Sequence, residues 1–187
     1  MKTVSVVVGS LRRESINLKL AKALIKLAVA QSSAYHFKLV DIGELPVYNE
    51  DLWENIPSAV TEFKQHIADS NALLFVTPEY NRTIPSPLKN ALDWGSRPHD
   101  DNSWKHKPAA IIGTSPGQIG TAVAQSHLRS VLPALNIQAM AQPEIYLKFE
   151  DDLVDDRYDI TNERTKQYLQ KFLSHFEEYL KKTDHSE

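Results

Sequence analysis

Hydrophobic and polar positions alternate between two rhythms along this chain. Short apolar runs, T-V-S-V-V-V at 3–8, A-L-L-F-V at 72–76 and A-A-I-I-G at 109–113, have the make-up of strands buried on both faces. F-K-L-V-D-I at 37–42 and I-Q-A-M at 137–140 predict two further strands, with 144–147 extending or following the last. Between these runs, apolar residues recur at helical spacing. Leu18, Ala21, Leu24, Ile25 and Ala28 form one stripe; Val60, Phe63 and Ile67 form another behind Pro57, whose fixed φ suits a helix start. Helices are also predicted at 88–95 (Leu88, Ala91, Leu92, Trp94), 121–132 (Ala124, Leu128, Val131, Leu132) and 162–182 (Tyr168, Leu169, Phe172, Leu173, Phe176, Leu180). Pro133 disturbs the end of the fourth helix, and 43–56 reads as a long loop.

Five strands alternating with helices predict an α/β domain, a parallel sheet with helices on both faces, spanning 1–187 without a linker or repeat. Sheets of this kind bind ligands beyond the carboxyl ends of their strands. The loops after the first, third and fourth strands share that end, so one crevice can draw on all three.

Composition removes several function classes. The chain is 42% hydrophobic and 24% charged, with no apolar run long enough to span a bilayer. Its first residues lead straight into a strand, so no signal peptide is expected and the expected compartment is the cytoplasm. Zero cysteines exclude disulfides, thiolate catalysis and cysteine-ligated metal clusters. The net charge of −3 divides into −5 over 150–187 and +2 over the remainder. Neither part carries the concentrated basic face of a nucleic-acid binder. The seven histidines are scattered without H-x-x-x-H spacing, and no metal site is expected.

The loop at 9–17, G-S-L-R-R-E-S-I-N, joins the first strand to the first helix and has the parts of an anion site. Free N–H groups and the positive dipole end favour a phosphate at a helix start. Ser10 and Ser15 add hydroxyl donors, Asn17 an amide, and Arg12 or Arg13 a charged planar fork. Neither G-x-x-x-x-G-K-[ST] nor G-x-G-x-x-G is present. Side chains crowd the loop, which suits one terminal monophosphate better than a dinucleotide bridge. Helix capping alone would account for one of these residues, not for Ser10, Arg12, Ser15 and Asn17 together.

The loop at 77–87 holds three prolines that order its backbone. Pro78 offers no N–H, whereas Glu79, Tyr80 and Asn81 each present one beside an aromatic face. That arrangement suits a flat heteroaromatic ring with carbonyl and ring-nitrogen acceptors, although Tyr80 by itself is equally consistent with core filling. At 113–117 the chain reads G-T-S-P-G, matching the G-x-S-x-G nucleophile elbow and raising a serine hydrolase with Ser115 as nucleophile. The residue after that serine must donate an N–H to the oxyanion, and here it is Pro116, which has none. Gly117 and Gly120 read better as places where backbone passes close to a ligand. The acidic run at 150–159 lacks the glycine and register of a calcium loop and reads as a solvated connector.

Together, G-S-L-R-R-E-S-I-N, T-P-E-Y-N-R-T-I-P-S-P-L-K-N-A-L-D-W and G-T-S-P-G-Q-I-G resemble the NADPH-dependent FMN reductase family, in particular its bacterial quinone, azo-dye and chromate reductases. The resemblance implies a flavodoxin-like three-layer fold with strand order 2-1-3-4-5 that binds FMN. By position, it implies that Ser10, Arg12, Ser15, Ile16 and Asn17 hold the FMN phosphate. Pro78, Glu79, Tyr80 and Asn81 would line the isoalloxazine, with Ser115 and Gly117 on the third side. The implied activity passes hydride from the co-substrate NAD(P)H through FMN to quinones, azo compounds or metal oxyanions. The flavin does that chemistry, so no side chain is named as acid, base or nucleophile.

Two other classes compete: a flavodoxin-type electron carrier without its own NAD(P)H site, and a binding or regulatory protein that keeps the fold alone. The resemblance also implies a homodimer, possibly a dimer of dimers joined through Arg129 and Glu144, with Ser126 standing where a tyrosine is expected. The apolar residues Ile84, Pro85, Pro87, Leu88 and Trp94 beside the site are expected to be exposed and to meet a partner.

Overall fold

Alternation within the strands sets the architecture. In β1 (Lys2–Val8), Val4, Val6 and Val8 enter one apolar cluster while Val7 enters another. In β3 (Ala72–Val76), Leu74 and Val76 follow the first set, and Leu73 and Phe75 the second. The computed structural model describes residues 1–151 and 153–184. Five strands run parallel in the order β2-β1-β3-β4-β5, where β2 is Tyr35–Val40, β4 is Pro108–Ser115 and β5 is Gln138–Ala139. Helices α1 (Ile16–Ala30) and α5 (Glu163–Thr183) cover one face. Helices α2 (Ser58–Ala68), α3 (Ser86–Gly95) and α4 (Ala122–Val131) cover the other. This is the flavodoxin-like three-layer order expected from the motifs. Among the described residues, no helix is long and apolar enough to cross a membrane, and no group of three His, Asp or Glu side chains could hold a metal ion.

Several details depart from the sequence reading. Strand β2 lies two residues earlier than expected, because its ladder with β1 ends at Val7–Val40 and Asp41 then turns the chain by accepting the Gly43 N–H at 2.7 Å. The segment 144–147 follows β5 in the chain without extending it. It contributes a sixth strand, β6 (Tyr146–Lys148), which pairs in parallel with Gly113, Thr114 and Ser115 at the far end of β4. Tyr168 is 45% exposed, off the buried α5 stripe of Leu169, Phe172, Leu173, Phe176 and Leu180.

The acidic stretch after β6 is not simply solvated. Leu153, Val154 and Ile160 are buried, and the Lys22 ammonium donates to the Tyr158 hydroxyl at 3.0 Å. Asp152 lies outside the described residues.

The apolar cluster beside the site is covered by the chain itself, which overturns its reading as a partner surface. Leu88 and Trp94 have no exposure and Ile84 has 9%. The long loop does the covering, helped by a 3₁₀ turn at Glu50–Asn55. Tyr48 and Trp53 meet the Trp94 ring edge-on at 4.8 and 5.3 Å, and the Trp94 indole donates to the Pro46 carbonyl at 2.7 Å. Asn90 accepts the Tyr48 N–H at 2.8 Å and donates to Pro46 at 2.9 Å. Arg129 and Glu144 likewise meet within one chain, Nε to Oε1 at 3.0 Å, while a guanidinium nitrogen of Arg129 donates to the Met140 carbonyl at 2.8 Å. The two residues named for a charge contact between dimers therefore already stand 3.0 Å apart within one chain.

Candidate functional site

The three loops predicted to meet do meet, at the carboxyl ends of β1, β3 and β4. After β1, Ser15 adopts extended backbone and caps α1, its hydroxyl accepting the Leu18 N–H at 3.2 Å. The first intrahelical-type bond from the loop runs from Lys19 N–H to the Ser15 carbonyl at 3.0 Å, which leaves the N–H groups of Ile16 and Asn17 without a helical acceptor. Ser10 sits across this loop, its hydroxyl accepting the Arg12 N–H at 3.4 Å and lying 3.5 Å from the Tyr80 hydroxyl. Among the described residues neither Arg12 nor Arg13 makes an ion pair, and both side chains are exposed. Uncommitted amides, a hydroxyl and free guanidinium groups at a helix start form a donor set that fits a phosphate dianion.

Asn17 departs from its expected role. Its side chain is 1% exposed and fully turned to protein, Nδ2 donating to the Thr114 carbonyl at 2.9 Å and Oδ1 accepting the Thr114 N–H at 3.0 Å. The carboxamide therefore ties the phosphate loop to the end of β4, and only the backbone N–H of Asn17 is left for an anion. Sequence reading singled out the residue through its donor chemistry but missed Thr114, 97 residues away, because no local pattern encodes that partner.

The β3 loop is also reassigned in part. Tyr80 and Thr83 exchange backbone bonds at 3.1 and 3.0 Å around Asn81 and Arg82, both left-handed with φ of 50° and 64°. This is a tight turn of the type that prefers Asn at its tip. The Tyr80 N–H is therefore committed, and the expectation that it faces a ligand does not hold. The N–H groups of Glu79 and Asn81 make no hydrogen bond among the described residues. The Glu79 carboxylate leaves the crevice wall to accept the Val123 and Ala124 N–H groups at 3.0 and 3.1 Å. Tyr80 is 45% exposed, and His127 of α4 supports the turn through Thr83 Oγ1 at 3.0 Å.

Ser115 closes the third side without the geometry of a nucleophile. Its hydroxyl donates to the Gly120 carbonyl at 2.6 Å and accepts the Gly117 N–H at 3.2 Å, so it pins the turn. Among the described residues no histidine bonds to it, and Pro116 supplies no oxyanion donor; the hydrolase reading fails. Gly120 serves packing more than ligand approach. It has φ +58°, and a Cβ there would lie 2.8–2.9 Å from the backbone of Tyr146 and Leu147. Gly113 at the base of the crevice admits the Thr77 carbonyl to within 2.1 Å of where a Cβ would stand.

Clefts open on either side of these loops. One of 680 Å³ is lined by Ser10, Leu11, Arg12, Arg13, Asp41 and Gly43, and one of 690 Å³ by Tyr80, Thr83, Ile84, Lys89, His127 and Ser130. A cavity of 460 Å³ lies at the opposite pole of the sheet, between Lys2, Asn71, His106 and the end of α5, away from all three loops.

Residues 1–152 match the family of NADPH-dependent FMN reductases. The chain is 52% identical over 173 residues to a 2-hydroxy-1,4-benzoquinone reductase of Burkholderia sp., covering 92% of this chain and 93% of that one. It is 44% identical to a quinone reductase of Pseudomonas putida, covering 96% and 95%. The solved structure of FerB, a flavoenzyme NAD(P)H:(acceptor) oxidoreductase from Paracoccus denitrificans, superposes with a TM-score of 0.92 at 45% identity over 98% of this chain and 99% of that one. Sequence and fold agree along nearly the whole length. The chain belongs to the NADPH-dependent FMN reductase family.

Proposed function

We propose that the protein is an FMN-dependent NAD(P)H oxidoreductase acting on quinones. The observation that carries this reading is the meeting of three loops around a crevice whose first wall, the start of α1, keeps unbonded N–H groups beside uncommitted arginines. Family membership and relatives named as quinone reductases support the same conclusion. Bound FMN supplies the hydride chemistry. The residues that would hold it are Ser10, Arg12 and the amides of Ile16 and Asn17 at the phosphate. At the ring they are Pro78, the amides of Glu79 and Asn81, Tyr80, and the turn of Ser115 and Gly117. The protein's part is to fix these donors before the ligand arrives, so little ordering is left to oppose binding.

Flavin absorption that stays with the protein through gel filtration, with steady NAD(P)H oxidation when a quinone is added, is the expected result. Flavin retention without NAD(P)H oxidation would leave the electron-carrier reading instead. Azo compounds and metal oxyanions belong to the same proposal as further acceptors, ranked against quinones by kcat/KM.

We further propose a homodimer working in the cytoplasm, where reduced nicotinamide is supplied. Support for pairing rests on exposed apolar residues around the crevice: Leu11, Tyr80 and Ile119, one from each loop, are 54%, 45% and 49% exposed. A dimer of dimers has less support, since Arg129 and Glu144 already pair at 3.0 Å within one chain.

A further inference from the structure

Helix α4 is capped from another part of the chain. Thr121 holds its N-cap position but makes no capping bond, and its hydroxyl accepts from the Gln125 side chain at 3.0 Å instead. The amides of Val123 and Ala124, in the first turn of α4 where no helical carbonyl reaches them, donate to one oxygen, Oε2, of Glu79. Glu79 lies 44 residues upstream, just beyond β3, in the loop that forms the second wall of the crevice. A carboxylate in this position gains from both N–H groups and from the positive end of the helix dipole. The backbone of Glu79 stands between Pro78, which has no N–H, and Tyr80, whose N–H is taken by Thr83. Its own N–H is therefore one of the few donors this wall can offer a ligand.

One side chain thus connects the residue that carries a free donor with the turn that carries Ser115 and Gly117. The prolines stiffen the β3 loop internally but do nothing to fix its distance from the β4–α4 turn. Near the floor of the crevice that distance is set by Gly113 against the Thr77 carbonyl; beyond the strands, the Glu79 carboxylate sets it again at the start of α4, and His127 ties the loop's Thr83 to the helix further along.

We propose that Glu79 is a positioning residue for the flavin ring, its carboxylate seated on the amino end of α4 so that the two loops stand at the spacing a flat ring requires. This rests on the FMN reading of the site. It differs from a lining role, because the side chain acts through α4 and not on the ligand.

The test is equilibrium titration of flavin-free protein with FMN and with riboflavin, followed by fluorescence quenching, alongside the thermal midpoint of each flavin-free variant. Glu79→Ala should weaken both flavins by the same factor, about five- to tenfold, the size of losing one helix cap. Glu79→Gln keeps an acceptor oxygen at the same reach and should return both affinities to within about twofold. Glu79→Asp, one methylene shorter, should behave like the alanine variant. If Glu79→Ala does not fold, the contrast between Gln and Asp carries the test unchanged.

A lower thermal midpoint with riboflavin affinity intact would overturn the proposal, leaving Glu79 as a helix cap only. A loss confined to FMN would also overturn it, because the effect would then sit at the phosphate. Wild-type protein that binds neither flavin would instead overturn the cofactor reading, and the inference with it.

Discussion

At the scale of single residues, the crevice separates groups committed to the protein from groups left for a ligand. Arg12 belongs to the second kind. Its guanidinium has no partner among the described residues, so a charge-assisted bond to the phosphate would be its main energetic role. Arg12→Ala is expected to lower FMN affinity by about 1.5–3 kcal/mol and to leave riboflavin affinity unchanged; equal losses for both would remove the phosphate assignment. Asn17 belongs to the first kind. Asn17→Leu would orphan the buried N–H and C=O of Thr114, so the urea midpoint should fall by the equivalent of about 1–3 kcal/mol even in flavin-free protein. Sequence reading placed both residues at the site for the same reason, their donor chemistry. It could recognise Ser15 as a cap because the bonded Leu18 is three residues away. It could not foresee that Asn17 and Glu79 bond 97 and 44 residues along the chain, since such partners exist only after folding.

At the scale of elements, the helices and central strands were legible because periodicity and burial agree there. Ala72–Val76 matches the predicted run residue for residue, since a strand buried on both faces has no polar position to blur its ends. Strand β5 falls inside the predicted 137–140, and the parts that escaped are the pairing of the short β6 with β4, a 3₁₀ turn, and the acidic connector. In the connector, Asp155 Oδ1 accepts the Asp159 N–H at 2.8 Å and the Arg157 N–H at 2.9 Å, closing a turn that brings Val154 back to Ile160. The bond from Asp159 holds the Asp155 carboxyl below its ordinary 3.8; burial opposes it, and the Arg157 N–H and the charges of Lys26 and Arg157 add smaller lowering effects. With the folded value the lower one, this stabilisation is fully present above 3.8 and is lost as pH falls through the folded value. The difference in urea midpoint between wild type and Asp155→Ala should therefore be constant near neutral pH and shrink once pH drops below 3.8. A difference that persists unchanged in acid would mean the turn does not depend on the carboxylate charge.

At the scale of the whole molecule, the long loop decides which surface is available. By folding Tyr48 and Trp53 over Trp94 it removes the apolar cluster that sequence alone leaves exposed, while Leu11, Tyr80 and Ile119 stay exposed on the three crevice loops. Sedimentation velocity of the flavin-loaded protein at micromolar concentration is expected to give a dimer. A monomer with full turnover would refute the pairing. Glu144→Ala should leave that assembly state unchanged, because the contact it breaks with Arg129 lies inside one chain; dissociation on this substitution would place the pair at a subunit boundary after all.

The division of β4's outer neighbour into two pieces has a consequence for solubility. A long unpaired edge is a template on which a strand from another molecule can add, the first step toward fibrous aggregates. Here β5 pairs with Pro108 and Ala109, β6 pairs with Gly113 to Ser115, and the chain leaves the sheet between them. Neither piece offers an incoming strand more than three residues of ladder. At the opposite edge β2 is longer, but His36 and Lys38 stand on its exposed positions, and the Lys38 ammonium is 2.8 Å from the His66 ring. One border of the sheet is too interrupted to propagate and the other is marked by charge, so the sheet ends with this chain.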